Sequence, residues 1–177
     1  MTATVIRPIR QTDAARYLEL CTRLDGETRY MMLEPGERDQ SLKRQRGLIR
    51  DYMDRPNHII LVADTGRELA GYVLARGGRY RRDQHKAHVV VGVLRRFSGQ
   101  GLGTRLFHQL DLWARDRIHR LELTVMAHNR KAIRLYQKMG FQTEGRLTHS
   151  LKVAGDWVDE YLMAKLTGTL PAMGKTS

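Results

Sequence analysis

The sequence predicts a mixed α/β domain, with about seven strands in one mixed sheet flanked by about four helices. Three observations carry this. Apolar runs of strand length and stretches of helical periodicity succeed each other in the order β-α-α-β-β-β-α-β-α-β-β. The stretch His88–Leu94 is continuously apolar after its histidine, the pattern of a strand covered on both faces. The chain has 177 residues, enough for one substantial core and short for two. We read residues 1–167 as a single domain and 168–177 as a flexible tail.

Taken in order, Thr4–Ile9 reads as a short strand, and Thr12-Asp13 caps a helix through about Leu24. Gly26 to Gly36 has turn residues at both ends and bulky ones between, so a structured loop is expected. A second helix runs from about Arg38 to Asp54 with Leu42, Ile49 and Met53 on one side, and Pro56-Asn57 stops it. His58–Asp64 and Glu68–Ala75 form a hairpin over Thr65-Gly66-Arg67. After the oily strand, Leu102, Leu106, Leu110 and Trp113 make the core stripe of an amphipathic helix. Leu121–Val125 alternates as a half-buried strand. A helix over Asn129–Met139 then ends at Gly140, a C-terminal cap. Phe141–Ser150 and Trp157–Leu166 close the chain as a hairpin over Val153-Ala154-Gly155-Asp156.

Charge narrows the partners. Lys and Arg number 31 against 19 Asp and Glu, a net charge of +12 that attracts phosphate-bearing ligands, nucleic acid or acidic surfaces. The cations are dispersed along the chain without the basic-aromatic interleaving of single-strand readers, so a nucleic-acid partner is not expected. The single cysteine, Cys21, excludes an intrachain disulfide and shares a helical stripe with Tyr17, Leu18 and Leu24, where it is buried and inert. No stretch approaches the ~20 apolar residues that span a bilayer, and the N-terminus lacks an apolar signal core. A soluble, cytoplasmic protein with no membrane partner is the expectation.

The chemistry concentrates where the oily strand ends. Arg95-Arg96-Phe97-Ser98 leads into Gly99-Gln100-Gly101-Leu102-Gly103, and a helix opens at Thr104. Amides freed of side-chain bulk at a helix N-terminus make a phosphate site, because unpaired N–H groups and the helix dipole point the same way. A dinucleotide fingerprint needs its third glycine where Thr104 stands, and a P-loop needs Gly-Lys-Ser/Thr, which is absent.

With Asn129, Ala132 and Tyr136 on the next helix and Gly140-Phe141 entering a strand, the chain resembles the GNAT superfamily of acetyl-CoA-dependent N-acetyltransferases over residues 4–166. The stretch Glu144-Gly145-Arg146 through Gly155–Met163 is most similar to the bacterial branch acting on amino acids and other small amines. It is also similar to the phosphinothricin and ribosomal-protein branches.

The resemblance implies acetyl transfer to a primary amine by direct attack in a ternary complex, with acetyl-CoA as donor and no metal. Ser98, Gly99, Gln100, Gly101, Leu102, Gly103 and Thr104 would hold the pyrophosphate, and Val91 and Val93 the pantetheine arm as an added strand. The family commonly carries Arg or Gln where Ser98 stands, so charge falls to Arg95, Arg96 or Arg105. Asn129 would contact the cofactor arm as well as cap its helix. Tyr136 would be the general acid, since a phenol and an alkyl thiol lie within about two pKa units of each other. His88 or Glu34 would be the base; Glu122 and Thr124 project to one face of the neighbouring strand, and Glu27, Glu34 and Glu37 lie in the loop and helix start that cover the acceptor side in similar proteins. A protein N-terminus is the alternative acceptor, a non-catalytic nucleic-acid or ribosome-binding module the remote alternative, and a homodimer through the last strands or the sheet edge an added expectation.

Overall fold

A computed structural model describes residues 4–168, so the tail read at 168–177 lies, beyond Gly168, outside the described residues. The elements are β1 (Val5–Pro8), α1 (Ala14–Glu27), α2 (Leu42–Asp54), β2 (His58–Asp64), β3 (Leu69–Gly77), β4 (Lys86–Val93), α3 (Leu102–Ala114), β5 (Arg120–Met126), α4 (Arg130–Lys138), β6 (Gln142–Val153) and β7 (Asp156–Leu166). They build one seven-stranded sheet in the order β1-β2-β3-β4-β5-β7-β6. All neighbours are antiparallel except β4 and β5, whose connection through α3 is a parallel crossover. The predicted mixed sheet with four helices is what forms.

Each face of the sheet has its own core. On one, Tyr17, Leu20 and Leu24 of α1 and Ile49 and Tyr52 of α2 cover Ile60, Val62 and Tyr72, with Tyr17 and Tyr72 edge to face at 5.3 Å. On the other, Leu106, Phe107 and Leu110 of α3, Tyr136 of α4 and Met139 just after it cover Val73, Val89, Leu123 and Met163. Trp113 packs only at the margin of this core.

Several boundaries depart from the sequence reading. The Asp13 carboxylate does not cap α1; it accepts the Arg10 amide at 2.8 Å and both Arg7 terminal nitrogens at 2.7 and 2.8 Å, closing a 3-10 turn ahead of the helix. The helix then continues through Gly26 to Glu27. The second helix starts at Leu42 rather than Arg38, because Asp39 accepts the Ser41 amide at 2.7 Å and Ser41 caps Arg44. Its buried side is Ile49 with Tyr52, while Leu42 and Met53 are 41% and 56% exposed. At the other end of the chain, Ala154 and Gly155 take φ of 51° and 92°, the paired left-handed residues of a tight hairpin turn.

The parallel pair β4–β5 sets up the site. Only Lys86–His88 pair with Arg120–Glu122. Beyond His88 the two strands part, and Val89 to Val93 face a gap.

Candidate active site

Backbone alternation fixes what this gap offers. Val93, Gly92 and Val91 lie opposite Gly71, Tyr72 and Val73, and the Leu94 amide donates to Ala70 O at 3.0 Å. Alternate residues of an antiparallel ladder exchange both bonds, so Gly92 and Leu94 bond β3. The amides and carbonyls of Val91 and Val93 therefore point into the gap. An extended ligand can add there as a strand. This also explains why a continuously oily strand is only half-buried at Val91 and Val93: they line the opening.

The gap widens into a cleft of about 850 Å³ between the loop after α1 and the start of α4. Val91, Val93, Ser98, Gly99, Gly101, Leu102, Gly103, Thr104, Asn129 and Tyr136 all line it. Gly101 takes a left-handed φ of 74° as the N-cap of α3, and the first helical amide bond is Arg105 to Gly101 O at 3.0 Å. The amides of Leu102, Gly103 and Thr104 are thus the orphan donors of a helix start. A side chain at Gly103 would put its Cβ 2.9 Å from Leu135, so glycine there lets α3 approach α4. Gln100 does not line the cleft; its side-chain amide donates to Arg96 O at 3.0 Å.

The cation that Ser98 lacks comes from an unexpected element. Arg96 pairs with Glu68, and Arg105 donates to Thr4 O at 2.7 Å, away from the cleft. Of the three arginines named from the sequence, Arg95 alone lines it, tied to Glu27, whose carboxylate accepts the Arg95 amide at 2.7 Å. The remaining positive lining is on α4 and its approach: Arg130, Lys131, Arg134 and Lys138. The Lys131 ammonium donates to Ser98 Oγ, so it stands at the position the serine leaves uncharged. Sequence reading missed it because Lys131 is 33 residues from its partner; the cluster Arg130-Lys131 beside Asn129 was the only local signal.

Tyr136 is buried against Phe107 and Phe141, with ring centroids at 5.7 and 6.1 Å, and burial pushes its phenol up to about 12. Asn129 accepts the Ala132 amide at 3.2 Å, the cap foreseen for it, while lining the cleft. His88 stands at the fork where β4 and β5 part, half-buried. Burial and Arg76 hold its imidazole below the ordinary 6.5, against Glu122 and Glu160, which pull upward. The cleft does not reach Glu34, an exposed loop residue whose amide donates to the Glu37 carboxylate at 2.8 Å. Cys21 is buried, and that burial raises its thiol to about 11, well outside reactive range. Among the described residues no three His, Cys, Asp or Glu side chains converge as a metal site, and no helix is long and apolar enough to cross a membrane.

A sheet opened between two parallel strands, with strand-edge amides, a glycine turn and a cationic wall, defines a protein that holds an extended phosphate-bearing ligand. The acetyltransferase (GNAT) family model matches residues 19–141. The L-amino acid N-acetyltransferase AaaT of Escherichia coli is 32% identical over 117 residues, 64% of this chain and 71% of that protein. The N-alpha-acetyltransferase RimI of Mycobacterium tuberculosis is 32% identical over 114 residues, 64% of this chain and 69% of that protein. Among solved structures, a GNAT-family acetyltransferase from Streptococcus pneumoniae superposes with a TM-score of 0.90 at 28% identity, over 93% of this chain and 99% of its own. The chain belongs to the GNAT acetyltransferase family and is an N-acetyltransferase.

Charge reversal at Lys131 tests the cationic wall. Lys131→Glu is expected to weaken binding of coenzyme A by about ten- to a hundredfold and to flatten its salt dependence, with the melting temperature unchanged. Titration calorimetry at two salt concentrations reads both.

Proposed function

We propose that the protein moves the acetyl group of acetyl-CoA to the primary amine of an amino acid or other small amine, by direct attack with both substrates bound. The observation that carries this is the free β4 edge at Val91 and Val93 running into the glycine turn and helix start at Gly99–Thr104. The relative named as an L-amino acid N-acetyltransferase supports the acceptor class.

When bound, acetyl-CoA supplies an activated thioester carbonyl. The loop amides, with Lys131 and its neighbours on α4, hold diphosphate charge. The Val91 and Val93 amides hold the extended arm and offer a fixed donor to the carbonyl, so no reorganisation is needed when charge develops on its oxygen. Tyr136, protonated at every physiological pH, delivers its proton to the departing thiolate. His88, kept neutral by its surroundings, is free to accept the proton an ammonium must lose, directly or through water. Neither His88 nor Glu34 lines the cleft itself, but His88 stands on β4 at the fork from which the gap opens, whereas Glu34 lies on an exposed loop.

Mixing the protein with acetyl-CoA and a panel of free amino acids, alkylamines and short peptides, and following thiol release, tests the reading. Turnover with a small amine is the expected result. Preference for peptides would move the acceptor to a protein N-terminus, as the name of the mycobacterial relative suggests. No release with any amine, or no thermal stabilisation by millimolar acetyl-CoA, would overturn the proposal.

A further inference from the structure

Three carboxylates are buried among the described residues: Asp13, Asp25 and Glu160, at 3%, 3% and 7% exposure. Two carry their counter-charge with them. Asp13 has Arg7 at 2.7 Å, and Asp25 has Arg38 Nη2 at 2.9 Å. Glu160 has no lysine or arginine partner among the described residues, and its side chain is met only by the hydroxyl of Ser150. A carboxylate withdrawn from water carries a desolvation penalty that one neutral hydroxyl does not offset.

The location of Glu160 gives that imbalance a use. On β7 it lies opposite Met126, the last residue of β5, which places it one strand across from the gap between β4 and β5 and outside the lining of the cleft. Tyr161 and Met163 belong to the core under α3 and α4, so Glu160 and Leu162 present to the opposite face of the sheet. His88 is on that same face, since Ala87 and Val89 point to the α3 side, and it feels the charge of Glu160. The other carboxylate near His88, Glu122, is already engaged by Lys86 at 3.3 Å and Arg120 at 2.9 Å.

We propose that Glu160 anchors the acceptor: the cationic head of the incoming amine supplies the counter-charge that no described residue gives this buried carboxylate. This rests on the amine-acetylation reading above and adds to it the group that selects a protonated amine over neutral or anionic nucleophiles. Selection then falls to a buried ion pair formed only with substrate, one that delivers the amine to the face on which His88 stands.

Steady-state kinetics and melting of the full-length protein and its Glu160→Gln variant decide the matter, with tetramethylammonium as a cation that cannot be acetylated. Glu160→Gln keeps the Ser150 contact and removes only the charge. It is expected to raise KM for the preferred amine at least about tenfold, leave KM for acetyl-CoA within about twofold, and raise the melting temperature without amine. Tetramethylammonium should compete with the amine, not with acetyl-CoA, in the wild type. An unchanged amine KM overturns the proposal, as does an equal loss for both substrates with a lowered melting temperature. If the variant does not fold, absence of competition by the cation in the wild type overturns it instead. If the wild type acetylates no amine, the transfer reading has failed by itself. Glu160 is then judged by wild-type melting in tetramethylammonium chloride against sodium chloride at equal ionic strength, where no difference overturns it.

Discussion

Tyr136→Phe is expected to cut turnover about ten- to a thousandfold while leaving acetyl-CoA affinity within about twofold. The substitution removes one hydroxyl and keeps the ring that packs against Phe107 and Phe141, so folding is not at stake. In the proposed mechanism, what is lost is the proton given to the departing thiolate. Burial pushes the phenol up to about 12, which sets the sign of the pH behaviour: the acid form persists through neutrality and well into alkaline solution. The wild-type rate should therefore climb with pH as the bound ammonium gives up its proton, with no Tyr136 downturn below about pH 11. A fully active phenylalanine variant would remove Tyr136 from the chemistry.

The second large effect is on stability. Asp13→Asn should lower unfolding free energy by about 2–3 kcal/mol and the melting temperature by roughly 5–10 °C. Arg7 is then left half-compensated in a cluster where Asp13 and Asp64 share it and Arg16 closes the far side at 2.6 Å. The loss sits below that of a fully orphaned cation because Asp64 stays with Arg7 at 2.7 Å. The Arg7 guanidinium holds the Asp13 carboxyl below its ordinary 3.8, and Arg16 first, with the Gly66 amide and Arg7, does the same for Asp64. A carboxylate whose folded value is depressed stabilises above its unfolded pKa, and loses that contribution as pH falls through the folded one. The difference between wild type and variant should be full above about pH 4 and shrink on further acidification. Thermal melts from pH 7 down to pH 2 check it, and a gap that widens in acid would contradict the ion-pair account.

Much of the fold could be read from the chain because its signals are local. Helical stripes such as Leu102, Leu106 and Leu110, and the glycine turn before them, depend on residues a few positions apart. Gly140 takes the left-handed φ of 89° that its place after α4 implies, and Asn129 caps that helix. The glycine turn at Gly99–Gly103 and the placement of Val91, Val93 and Tyr136 along one cleft were legible for the same reason. The buried side of α2 was not. Ile49 and Tyr52 rather than Leu42 and Met53 meet the sheet, and only the placement of the helix over β2 and β3 selects among faces of similar polarity.

By itself, the sequence determined the order of elements, the glycine turn at the start of α3 and the family, since each is written in short-range periodicity and turn chemistry. Tertiary structure alone decided where the charges meet. It set Lys131 beside Ser98, turned the Asp13 carboxylate from a cap into an ion pair with Arg7, and buried Glu160 with no cation beside it among the described residues. Pairing between distant side chains is set by strand register and by the angle at which β4 and β5 part, and no window along the chain contains either.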